Sequence, residues 1–155
     1  MRIRLHRPGF TLLELLIVLA VLGLFATLAV LSLNGARRAQ RDAQRLSDIS
    51  VLRSALGNYW LEKATYPTSD GVELGRPGAN TDVFNQDGFV GRDSAKPPFY
   101  LERVPVGPSA NEYYRYRGSS NGYSIRFVTE SETAIGKANV YYLHSTGIDQ
   151  ADEEK

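Results

Sequence analysis

From Phe10 to Leu33 the chain is apolar or small at almost every position, and the one charge inside that run is Glu14. As a helix the run is roughly 36 Å long against about 30 Å of bilayer hydrocarbon, which predicts a single-pass membrane span. Beyond Leu33 the pattern turns amphipathic. Asn34-Gly35 interrupts it, but Ala36 to Trp60 is rich in helix formers and no proline occurs between Phe10 and Tyr66. Leu46, Ile49, Leu52, Leu56 and Tyr59 recur at steps of three or four, so they share a face expected to pack on a folded head. Arg38, Asp42, Arg45, Asp48 and Arg53 are read as the opposite, solvated side, with pairs such as Arg38 and Asp42 adding about 0.2 to 0.5 kcal/mol each.

Proline and glycine dominate from Thr65 to about Ala110, where no period of two or 3.6 is sustained. The segment reads as a long connection with Phe99-Tyr100-Leu101 and Val104-Pro105 tacking its end to the core. Three strand candidates follow: Glu112 to Arg117, Tyr123 to Thr129 and Val140 to His144, the first two joined by a Ser119-Ser120-Asn121-Gly122 turn. An antiparallel meander would bury Ile125 and Phe127 from one face, with Tyr114 and Tyr116 beside them. The expected class is α+β: a long N-terminal helix, membrane half plus amphipathic half, packed on a small antiparallel β-sheet head. The organisation is a leader over 1–9, a membrane helix over 10–33, its amphipathic continuation over 34–62, a Pro/Gly-rich connecting loop over 63–111, a sheet over 112–144 and an acidic tail over 145–155.

Composition narrows the chemistry. The 155 residues carry 18 Lys and Arg against 17 Asp and Glu, but Arg2, Arg4 and Arg7 all precede Gly9; without them the balance is 15 to 17, a net of −2. Such a chain is not built for bulk nucleic-acid binding. It has no cysteine, so neither disulfides nor thiolate metal sites are available, and only His6 and His144 supply imidazole. No nucleophile with a base and an orienting group can be drawn, so no catalytic residue is assigned and the protein is not expected to be an enzyme. Glu14 stands out instead, because a carboxylate inside a membrane-length segment is costly and marks a partner or a function. It can pair with a cation, snorkel to the headgroups or stay protonated.

A secretory signal is cut after its apolar region at small residues. Here the small residue, Gly9, precedes the apolar region, so a cut after it would leave the hydrophobic helix on the mature protein. The basic leader followed by Gly9-Phe10-Thr11-Leu12-Leu13-Glu14 and an apolar helix resembles the class III signal of type IV pilins and type II secretion pseudopilins. The resemblance implies cleavage after Gly9 by a membrane prepilin peptidase, N-methylation of Phe10, and assembly through Glu14, paired with the Phe10 amino terminus of another copy in a helical filament. The main reading is a subunit of a type IV pilus-like filament; the alternatives are a pseudopilin acting in protein export, or a minor pilin for DNA uptake or adhesion. Implied partners are other copies, the peptidase, the pilus or secretion assembly machinery of the inner membrane, and membrane lipid before assembly, which Arg37, Arg38 and Arg41 could touch through phosphates. The location implied is the inner membrane first and a surface pilus afterwards. Charges flanking the span do not settle orientation, because Arg37, Arg38, Arg41, Arg45 and Arg53 follow it. Unlike many pilins the chain lacks a proline in the membrane half, leaving Gly23 or Gly35 as the places for a bend.

Two further features are weighed. The resemblance extends to a Ser-x-Gly-x-Asp ending, Ser145, Gly147 and Asp149, which helps bind Ca²⁺ in major pseudopilins, and Ser145, Asp149 and Asp152 are the candidate ligands. The Asp-Pro-Trp-Gly segment of those proteins is missing, Val106-Gly107-Pro108-Ser109 standing there instead. The preferred expectation is a disordered acidic tail without a cofactor. Tyr113, Arg115 and Arg117 alternate onto one strand face, a pattern that can bind nucleic acid, but an ordinary strand face is expected there.

Overall fold

The computed structural model describes residues 9–155, so Arg2, Arg4, His6 and Arg7 lie outside it. The chain divides into two compact units, one through Arg37 and one from Arg38 to Lys155. A single helix, α1 (Leu12–Lys63), contributes to both. Among the described residues it is the one helix long and apolar enough to cross a membrane.

In the first unit α1 has no covered side: every residue from Phe10 to Arg37 is exposed. Gly23 and Gly35 both lie within the helix. Its start has a local cause. Thr11 caps the first turn, its hydroxyl accepting from the Glu14 N–H at 3.2 Å while Glu14 Oε2 accepts from the Thr11 N–H at 2.8 Å. That reciprocal pair is the capping box written as Thr-x-x-Glu.

The second unit is the α+β head. Strands β1 (Ser69–Glu73), β5 (Arg115–Gly118), β6 (Tyr123–Val128), β7 (Val140–Leu143) and β8 (Ile148–Asp149) form an antiparallel sheet in that spatial order. Register aligns Val72, Tyr116, Ile125, Leu143 and Ile148 in one row across it. These residues join Ile49, Leu52, Leu56 and Tyr59 of α1 in one apolar cluster. Tyr114 and Phe127 are buried there too.

Three expectations are corrected. The connecting segment is not a structureless loop: β1 extends the main sheet, and β2 (Val83–Asn85), β3 (Gly88–Val90) and β4 (Phe99–Leu101) make a second sheet in the order β3-β2-β4. Its rings close over the helix end, with Phe84 stacked on Phe89 at 4.4 Å and on Tyr59 at 5.4 Å between centroids. Strands of three residues between turns are too short to show a period. The 145–155 tail is ordered, since β8 pairs with β7 and the Ser145 N–H and hydroxyl both donate to the Lys155 carbonyl. Finally, Asp42 and Arg45 are not on the solvated side; both are buried in the helix stripe that continues through Ile49, Leu52, Leu56 and Tyr59.

α1 ends at a left-handed residue. Ala64 has φ 54° and its N–H donates to the Trp60 carbonyl at 2.8 Å, the geometry that usually selects glycine.

Candidate functional site

The residues expected to be processed and to assemble lie together at the start of the first unit. Gly9 and Phe10 precede the helix and are exposed, Phe10 at 88%. Glu14 sits one turn into α1, where its carboxylate accepts from both the N–H and the hydroxyl of Thr11. No cation of this chain pairs with it among the described residues. Thr11 is the hydrogen-bond partner that the sequence reading overlooked, although Thr-x-x-Glu ahead of an apolar run is itself a sequence signal. The arrangement holds a carboxylate against the Thr11 N–H and hydroxyl at the start of the helix. The helix dipole adds to the attraction of that end for negative charge. Around it the apolar side chains from Leu12 to Leu33 remain uncovered, Leu12 at 77% exposure.

A second constellation lies inside the head. Arg45 is 3% exposed and makes a two-pronged pair with Glu112, Nε to Oε1 at 2.6 Å and Nη2 to Oε2 at 2.8 Å. It also donates to Asp42 at 2.7 Å and to Glu130 at 2.7 Å. Asp42 accepts further from the N–H groups of Glu130 and Ser131 and from the Ser131 hydroxyl at 2.5 Å. Arg41 completes the group by pairing with Glu130, so it is not a free lipid-phosphate ligand in this arrangement. Burial pushes the Asp42 and Glu112 carboxyls up, but hydrogen bonds from Ser131 and Glu130 in the first case and from Arg45 in the second outweigh it and leave both below their ordinary values. The Arg41 hydrogen bond draws Glu130 down to about 2. With two guanidiniums and three carboxylates, the cluster pins α1 to the segment before β5 and to the turn after β6. Its directional bonds fix which face of the helix meets the sheet.

Of the nucleic-acid candidates Arg115 and Arg117 lie on the same face of β5 and Tyr113 precedes it. Arg117 faces Asp152 at 3.4 Å and Glu154 at 3.9 Å. Arg115 lies over Gly71, and Tyr113 precedes β5 beside Pro77 and Asn111.

The calcium candidates are likewise engaged. Asp149 Oδ1 accepts from the Ala151 N–H at 2.8 Å and contacts His144 Nε2 at 3.0 Å, while Oδ2 faces the Lys155 ammonium at 3.2 Å. The Ala151 N–H, then Lys155 and His144, hold this carboxyl below its ordinary value. Asp152 accepts from the Ser124 hydroxyl and faces Arg117, and the Ser145 hydroxyl donates to the Lys155 carbonyl. Calcium needs six to eight oxygens converging on one point. Among the described residues no group of three or more His, Cys, Asp or Glu is placed to hold a metal.

Comparison with known proteins agrees with the N-terminal geometry and extends it to the head. Residues 4–30 match the family described as the prokaryotic N-terminal methylation motif. The type II secretion system core protein G of Dickeya chrysanthemi is 34% identical over 146 residues, covering 87% of this chain and 88% of that one. Proteins of the same description from Escherichia coli strain K12 and from Vibrio cholerae are 31% identical over 130 residues and 32% identical over 107 residues. They cover 79% and 69% of this chain, and 80% and 68% of their own lengths, respectively. No solved structure matches the chain.

Proposed function

The chain belongs to the family of type II secretion system core protein G, and from that premise we propose that it is a structural, non-catalytic pseudopilin. It is cut after Gly9, anchored in the inner membrane by α1 and polymerised through that helix into a short pilin-like filament serving protein export. The observation that carries this reading is the uncovered apolar surface of α1 directly behind the methylation motif. In the bilayer that surface faces lipid; in a polymer it faces the same helix of other copies.

In this reading Glu14 exchanges partners. Before the cut its carboxylate caps its own helix through Thr11. The cut creates an ammonium on Phe10, and in a close bundle of helices the carboxylate meets that group on a neighbouring copy. Two opposite charges removed from water attract strongly only when they come close, so the pair selects subunit register. Prepilin peptidase and the inner-membrane assembly machinery are the partners that this cycle requires. A second reading, a surface type IV pilus, shares every one of these steps; the identity to core protein G over both helix and head favours export.

The test combines mass spectrometry with a secretion assay. The purified protein should begin at a methylated Phe10, and deletion of the chain should block export of secreted enzymes without removing long surface fibres. An unprocessed N-terminus would overturn the pilin-like reading altogether. Loss of fibres with intact export would move the chain to the type IV pilus.

A further inference from the structure

The 145–155 segment sets a single cation, Lys155, among four carboxylates, where the resemblance implied a metal. Lys155 Nζ lies 3.2 Å from Asp149 Oδ2 and 3.1 Å from Glu153 Oε2, bridging two carboxylates of its own segment. His144, wholly buried, packs against the same carboxylate: Nε2 faces Asp149 Oδ1 at 3.0 Å and Nδ1 faces the Tyr123 carbonyl at 3.2 Å. Main-chain contacts then close the strap. The Ser145 N–H and hydroxyl donate to the Lys155 carbonyl at 3.1 and 2.7 Å. Gly122, in the β5–β6 turn, lies so close to Lys155 that a Cβ there would stand 2.8 Å from its carbonyl carbon. The strap therefore returns to the sheet and is held by its own cation.

We propose that the Lys155 ammonium occupies the electrostatic role of a bound divalent ion in this head, so that the 145–155 strap closes on β7 and the β5–β6 turn without calcium. The inference is independent of whether the filament serves export or a pilus. An ammonium with three donors can bridge two carboxylates, but it cannot gather the six or more oxygens of a calcium shell. A head built this way stays folded when divalent ions are scarce.

The test is thermal unfolding of the full chain in detergent micelles, with excess calcium chloride or excess EGTA. Wild type should unfold at one temperature in both, and calorimetric titration with calcium should show no binding. Lys155→Met should unfold a few degrees lower in both solutions, and Lys155→Arg, which keeps the charge, should follow wild type. A wild-type protein that loses stability in EGTA would overturn the proposal, as would a Lys155→Met protein as stable as wild type. If Lys155→Met fails to fold, the wild-type comparison and Lys155→Arg still decide.

Discussion

Glu14 and Asp42 are carboxylates on the same helix, and their surroundings could hardly differ more. Glu14 lies among exposed apolar side chains and bonds only to Thr11, three residues away. Asp42 is buried and gathers Arg45, two backbone amides and the Ser131 hydroxyl from a turn 88 and 89 residues along the chain. The first is satisfied locally and leaves its unit unfinished; the second is satisfied by the fold and finishes its unit. A charge with distant partners inside its own chain serves stability. A charge in an apolar helix without such partners is, in the proposed filament, the one that meets another copy.

This contrast makes the effects of substitution separable. Glu14→Ala should abolish filament assembly, read by electron microscopy and sedimentation, while the unfolding temperature of the solubilised chain stays that of wild type; a polymer that still forms would break the comparison. Arg45→Met should do the reverse. It strands Asp42 and Glu112 without their cation and should cost about 3 to 5 kcal/mol in denaturant unfolding, the range for breaking a buried ion pair.

Acid should weaken the head ahead of the apolar helix. The folded carboxyls of Asp42, Glu112 and Glu130 lie below their ordinary values of 3.8 and 4.5, Glu130 at about 2. Their contribution is therefore fully present above about pH 5 and is lost as pH falls through the lowered values. Far-ultraviolet circular dichroism should follow the helix while tyrosine fluorescence follows the head; a head insensitive to acid would remove Asp42 and its partners from the stability account. The smallest effect belongs to Gly57, which lies in the helix with nothing within 4 Å of where a Cβ would stand. Gly57→Ala should stabilise the chain by about 0.5 to 1 kcal/mol and leave assembly untouched, checked by the same two measurements.

Much of this was written in short-range pattern. The apolar run marks the helix, Gly9-Phe10-Thr11-Leu12-Leu13-Glu14 marks the methylation motif, and alternation marks β5, β6 and β7. The burial of Asp42 and Arg45 was legible in principle, because 42, 45, 49, 52, 56 and 59 keep one heptad-like spacing; polarity alone sent the first two to the wrong side. Their partners Glu112 and Glu130 sit at the sheet's ends, and no local pattern ties them to the helix.

By itself the sequence determined the elements whose cause is local: a long helix, an N-terminal capping box, a membrane-length apolar face and a methylation motif. Only the tertiary structure decided which charges are buried, that the Pro/Gly segment builds a second sheet, and that the 145–155 tail returns to the main sheet. The physical reason is range. Helix periodicity and capping act over three or four residues, whereas an ion pair or a three-residue strand becomes stable only when partners far apart in the chain have been brought together and water removed from between them.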